Sequence, residues 1–79
     1  MRALKISDTY IPEEKIKFIA RYDGRVSVKL VAEKKKEKKC FDITHGKAAK
    51  SFIMLMDDSI ILCPLEAATL YKRLTQNNK

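Results

Sequence analysis

Two apolar runs, Phe52-Ile53-Met54-Leu55-Met56 and Ile60-Ile61-Leu62-Cys63, constrain the fold more than any other feature of the chain. Neither alternates with polar residues, so as strands both must be buried on both faces. Asp57-Asp58-Ser59 between them has turn composition. Lys50 to Met56 and Ile60 to Cys63 therefore read as a central hairpin, and the rest of the chain must supply what covers it.

Other strands are expected on both sides of a helix. Leu4-Lys5-Ile6 alternates apolar and polar, with a turn at Ser7-Asp8-Thr9. Lys15 to Tyr22 places Ile16, Phe18 and Ala20 on one face and Lys17, Ile19 and Arg21 on the other. Pro12, just ahead of it, suits an edge or a strand start. Asp23-Gly24 then allows two readings. It is a hairpin signal, and Val26, Val28 and Leu30 alternate as a returning strand would. Val28, Val31, Ala32 and Lys35 also sit at helical spacing in a stretch free of helix breakers, which favours a helix over Ser27 to Lys39. Cys40 to Thr44 reads as a strand and His45-Gly46 as a turn.

The C-terminal stretch predicts a helix with Pro64 in its first turn. Glu66 suits its positive end, Lys72 and Arg73 suit its negative end, and Ala67, Leu70, Tyr71 and Leu74 form an apolar stripe. Thr75 to Lys79 is expected to fray. The whole is an α+β class: a small, mostly antiparallel sheet domain over residues 1–79, with one mid-chain helix and one C-terminal helix.

At 79 residues the core is thin, since a chain of this size buries only about 60% of its unfolded surface. Cys40 and Cys63 lie in apolar stretches without zinc-type spacing, and read as buried thiols in a reducing compartment. Association with further copies is the remaining route to stability. No run is long enough to span a bilayer and the N-terminus lacks a signal-type apolar run, so the expectation is a cytoplasmic protein without a membrane partner.

Chemistry is sparse. His45 is the only histidine, and no nucleophile or carboxylate accompanies it in a catalytic motif. Adjacent Asp57 and Asp58 read as turn formers, and two glycines cannot make a phosphate loop. Neither an enzyme nor a cofactor or small-molecule substrate is expected. Charge says more: 17 basic residues against 10 acidic give +7, which attracts polyanions. Thirteen of the 17 are lysines, suited to neutralising phosphates rather than reading base edges. Lys34 to Lys39 reads either as a solvated helix face relieved by Glu33 and Glu37 or as a phosphate-facing ridge. The loop Thr44 to Lys50 would offer His45, Lys47 and Lys50 at a tip that Gly46 lets turn sharply. Phe18, Phe41 and Phe52 read as core, which leaves no stacking platform for single-stranded RNA.

Phe41-Asp42-Ile43-Thr44-His45-Gly46-Lys47, followed by Phe52-Ile53-Met54 and Ile60-Ile61-Leu62, resembles the bacterial extracellular matrix regulator (Rem) family. The likeness runs from about Ile11 to Leu74. Lys50-Ser51-Phe52-Ile53, Cys63-Pro64-Leu65 and Thr69 to Arg73 look more like its B branch. The resemblance implies a fold similar to LytTR-type DNA-binding domains, with a helix in the mid-chain segment. In the A branch it implies a ring-like oligomer that binds DNA and activates biofilm-matrix genes. That branch uses arginines at three places, two directly after the Thr-His-Gly turn and one ahead of the strand at Lys15 to Tyr22. Here those places hold Lys47, Ala48 and Lys15, with Lys50 basic nearby. The implied DNA-binding set is Lys15, His45, Lys47 and Lys50 on an AT-rich or shape-selected duplex. Ala48 and Ala49 favour the rival reading, a co-assembly module that does not grip DNA.

Overall fold

The computed structural model describes residues 3–76. Its centre is the expected hairpin: β5 (Ser51–Leu55) and β6 (Ile60–Cys63) pair antiparallel with Phe52 opposite Leu62 and Ile53 opposite Ile61. Because side chains alternate across a strand, Ile53, Ile61 and Cys63 enter one core while Phe52, Met54, Ile60 and Leu62 enter another. One sheet thus has two cores, one on each face.

The second core is closed by α1 (Gly24–Lys36) through Val31. The first is closed by a hairpin of β1 (Ala3–Ile6) and β2 (Thr9–Pro12) together with α2 (Ala67–Gln76), which contribute Leu4, Ile6, Ile11 and Leu70. Burial of a large aliphatic side chain stabilises by about 1.5–3 kcal/mol, a large share of the roughly 5–15 kcal/mol that holds a domain folded. Burial also pushes the Cys63 thiol up to about 12, which keeps it protonated at neutral pH. Cys40 is only half-buried.

β3 (Ile16–Arg21) and β4 (Cys40–Asp42) complete the four-stranded sheet in the order β3-β5-β6-β4. β3 pairs antiparallel with β5, whereas β4 runs parallel to β6. The parallel pair follows from the helix. A hairpin at Asp23-Gly24 would return the chain antiparallel beside β3, but α1 carries it back along the sheet so that β4 starts level with β3 and runs the same way. The helical reading of this segment holds, and the hairpin does not form.

Several details differ from the sequence expectation. α1 starts at Gly24, not Ser27, after a reversal in which Gly24 takes φ +82° and the Ser27 hydroxyl donates to the Arg21 carbonyl. Its covered face is Ser27, Leu30, Val31 and Lys34, one step from the Val28 stripe expected. It stops at Lys36 because Lys38 turns left-handed, with the Lys39 N–H bonding the Lys34 carbonyl and the Lys38 N–H the Lys35 carbonyl. That is a Schellman ending without its usual glycine.

Thr9–Pro12 is a strand rather than turn and connector, and Pro12 leads into a single 3-10 turn, Glu13–Lys15. In β3 a bulge at Lys17 shifts the register between Ile16 and Phe18. Ile16 and Ile19 consequently pack on the same core, and strict alternation fails. β4 stops at Asp42, short of Thr44.

Of the three phenylalanines expected in the core, only Phe52 is there. Phe18 on one edge strand is 43% exposed and Phe41 on the other 57%, while Tyr71 on the expected helical stripe is 65% exposed. The two exposed phenylalanines lie on opposite sheet edges and form no joint platform. Pro64 precedes α2 instead of opening it, with the Leu70 N–H bonding the Glu66 carbonyl at 3.1 Å. α2 continues through Thr75 and Gln76, and the rest of the expected frayed tail lies outside the described residues. No described helix is long and apolar enough to cross a membrane.

Candidate nucleic-acid interface

The Thr44–Lys50 loop joins the end of β4 to β5 at one end of the sheet. Its tip is a tight turn in which the Lys47 N–H donates to the Thr44 carbonyl at 3.1 Å. Both central residues, His45 and Gly46, have positive φ, 54° and 87°, the signature of a type I′ turn. Gly46 takes this conformation without strain, and histidine is among the side chains enriched there.

A clamp fixes the turn from below. The Asp42 carboxylate accepts from the Thr44 backbone N–H at 2.8 Å and from the Thr44 hydroxyl. Those two bonds hold its pKa below the usual carboxylate value, with Lys35 and His45 adding smaller electrostatic help. Thr44 is buried although it opens an exposed turn. On either side, the Ile43 N–H bonds the Leu62 carbonyl and the Lys50 N–H bonds the Cys63 carbonyl, at 3.1 and 2.9 Å. Both flanks of the loop are therefore tied to the central strand β6, and its tip is presented rigidly.

His45, Lys47 and Lys50 are all exposed and, among the described residues, none is ion-paired. The structure brings these three together in one loop. Lys15 is exposed but elsewhere. Its carbonyl accepts from the Met56 N–H at 2.9 Å, at the end of β5 opposite to Lys50. Six residues of strand at about 3.4 Å each separate the two positions by roughly 20 Å. Within one protomer Lys15 does not join the loop.

Sequence reasoning missed other cations near the loop. The Tyr22 N–H bonds the Lys50 carbonyl at 3.0 Å, which places Arg21 and Arg25 at the same end of the sheet. Arg21 is paired with Asp23 at 2.7 Å. The positive end of the α1 dipole faces the same way. Arg73, expected to complement the C-terminal end of α2, instead donates from Nη1 to the Lys5 carbonyl at 3.2 Å. It lines a depression shared with His45 and Lys47. No local sequence signal could have placed Arg73 beside the loop, because the partner that holds it, Lys5, lies 68 residues away.

The lysine-rich stretch lies at the far end of the sheet. There Lys17 pairs with Asp58 at 3.0 Å, Lys34 with Glu37 at 3.9 Å, and Lys39 lies near both Asp57 and Asp58. This ridge is solvated and partly neutralised.

Among curated proteins none matches the chain. The family model for RemA-like proteins, described as extracellular matrix regulatory protein A-like, matches residues 6–74. That span takes in the whole four-stranded sheet, the clamped basic turn and all of the buried core but Leu4, and the chain accordingly belongs to the RemA-like family.

Proposed function

We propose that this chain is a cytoplasmic, DNA-binding regulator of transcription that controls extracellular-matrix genes of the biofilm type. It works by binding and not by catalysis. The observation that carries the reading is the clamped turn, which holds His45 and Lys47, with Lys50 beside it, at one end of the sheet, where neither lysine is ion-paired among the described residues. Lysines held this way neutralise phosphates as point charges, so the protein selects duplex shape and groove width before base sequence.

A few cations per protomer make weak binding, and repetition strengthens it. In a ring-like oligomer each copy adds the same loop to one rim, and avidity offsets the absence of a cation at Ala48. The same repetition can bring the Lys15 end of one copy toward the loop end of the next. Fluorescence anisotropy on an AT-rich duplex at two salt concentrations tests the reading. Log affinity should fall with log salt by about 0.9 for each phosphate neutralised. Changing Lys15 and Lys47 to Gln should lower both affinity and slope. Unchanged values in those variants would sink it.

A second reading, a co-assembly module that does not grip DNA, is favoured by two observations. Ala48 is exposed in the middle of the basic loop. Exposed Phe18 and Tyr71 also flank an apolar groove of about 600 Å³ between β3 and α2, of the kind that protein partners cover. Light scattering after size exclusion tests the assembly common to both readings. A monomer at tens of micromolar would remove it.

A further inference from the structure

The depression beside the clamped turn joins an apolar lining to three basic side chains. It encloses about 290 Å³ between the turn, the tip of the β1–β2 hairpin and α2. Its floor is apolar, from Ile43, Pro64 and Leu65, and its rim carries His45, Lys47 and Arg73. Among the described residues no carboxylate lines it. The two sides reach it from distant parts of the sequence, and each is fixed independently. The loop side is held by Asp42. The Arg73 guanidinium is held by the Lys5 carbonyl through Nη1, which leaves the rest of its fork to meet a ligand.

We propose that this depression is a phosphate-group site that takes a sugar phosphate, with Arg73 as its anchoring residue. The cationic rim receives the phosphate, because a guanidinium fork matches phosphate oxygens in charge and geometry. The apolar floor receives the carbon face of the sugar. The volume limits the ligand to this size, since it falls just short of the roughly 300–1,000 Å³ of pockets for drug-sized molecules. Such a sugar phosphate has two sources, the backbone of a DNA duplex and a free phosphorylated sugar. The first source rests on the DNA-binding reading above; the second does not.

The test is an amide NMR titration of the full chain with 2-deoxyribose 5-phosphate at low salt, with 2-deoxyribose as control. The expected result is saturable shifts at Thr44, His45, Lys47 and Leu65 that require the phosphate. Arg73→Gln should weaken this binding by about tenfold or more, the scale of a charge-assisted hydrogen bond, and Arg73→Lys should fall between. The spectra themselves report whether each variant is folded, and Arg73→Lys keeps the test readable if loss of the Lys5 bond unfolds the other.

Duplex affinity measured on the same proteins separates the sources. A matching loss in Arg73→Gln assigns the site to the DNA backbone, and an unchanged duplex affinity assigns it to a free sugar phosphate. Shifts that fail to saturate, or that persist equally in Arg73→Gln, overturn the site. Sugar-phosphate binding without any duplex binding by the wild type would sink the DNA reading alone. Duplex binding without the sugar-phosphate shifts would sink this site alone.

Discussion

The two ends of the central sheet are built with the same device and left in opposite electrostatic states. At one end Asp42 accepts from the backbone N–H and hydroxyl of Thr44; at the other Asp57 accepts from the same two groups of Ser59. Each clamp is accompanied by left-handed residues, His45 and Gly46 at the first and Asp58 at the second. Beyond that the ends diverge. Around Asp58 the lysines find carboxylates, with Lys17 bonded to it and Lys34 and Lys39 nearby. Around the Thr44–Lys47 turn the one clamp carboxylate is already occupied, and the cations face solvent. Net charge alone hides this. The excess of +7 is felt most where no partner offsets it.

The largest expected effect breaks or sharpens that contrast directly. Changing Lys47 and Lys50 together to Gln should weaken duplex binding by about 3–6 kcal/mol, at about 1.5–3 kcal/mol for each hydrogen bond to a charged phosphate lost. The same change at Lys36 and Lys39 on the far ridge should cost under about 0.5 kcal/mol, within the range of ordinary surface substitutions. Anisotropy at low salt compares the two pairs. Equal losses would mean that the ends are not distinct and that the ridge binds as well.

A smaller effect lies in the backbone. Gly46 sits at φ +87° with nothing within 4 Å of the place a Cβ would occupy. Gly46→Ala therefore meets no clash, and its cost is conformational, about 1–2 kcal/mol for a left-handed L-residue. Urea denaturation reads the loss, and Gly46→Asn should recover part of it because asparagine tolerates this region. A neutral Gly46→Ala would show that the turn relaxes freely and is not rigidly held.

The far end offers the converse. Lys38 occupies the left-handed position of the α1 ending at φ 60°, where helices usually place glycine. Lys38→Gly should raise stability by about 0.5–1 kcal/mol, the strain relieved less the added freedom of the unfolded chain. Duplex affinity should stay within twofold or so, the size of a surface change. A loss of affinity matching that of the Lys47 variant would bring the ridge into the binding surface.

What could be read from sequence follows the same physical line. The β5–β6 hairpin was legible because unbroken apolar runs admit few alternatives, and its Asp57-Asp58-Ser59 turn with it. The β2 strand was not, because only Ile11 of its four residues is buried and its pairing is supplied by β1. The direction of β4 depends on how α1 returns, which no local pattern in Cys40 to Asp42 carries. At the candidate site Gly46 announced the turn. The clamp was hidden, since Asp42 followed the strand alternation of its neighbours and looked like one more solvent-facing residue. Arg73 was read correctly as a helix-end cation by type, but its partner, the Lys5 carbonyl, belongs to the other end of the chain.

The finest comparison of the two ends is by titration. Hydrogen bonds from Thr44 and from Ser59 hold Asp42 and Asp57 below their ordinary carboxylate values. A folded pKa below the unfolded one means that each clamp stabilises fully above the unfolded value, about 3.9. The contribution is lost as pH falls through the folded midpoint. Followed by NMR, the Thr44 and Ser59 amides should both titrate with midpoints under the ordinary aspartate value. Added salt should raise both only slightly, because hydrogen bonds dominate these shifts and salt screens only the smaller charge terms. Asp58, lowered mainly by Lys17, supplies the contrast, since an exposed ion pair is salt-sensitive. If Asp42 instead titrated at its ordinary value while Asp57 did not, the loop would lack its clamp. Its cations would then be free in space as well as in charge, and rigid presentation of His45 and Lys47 would lose its basis.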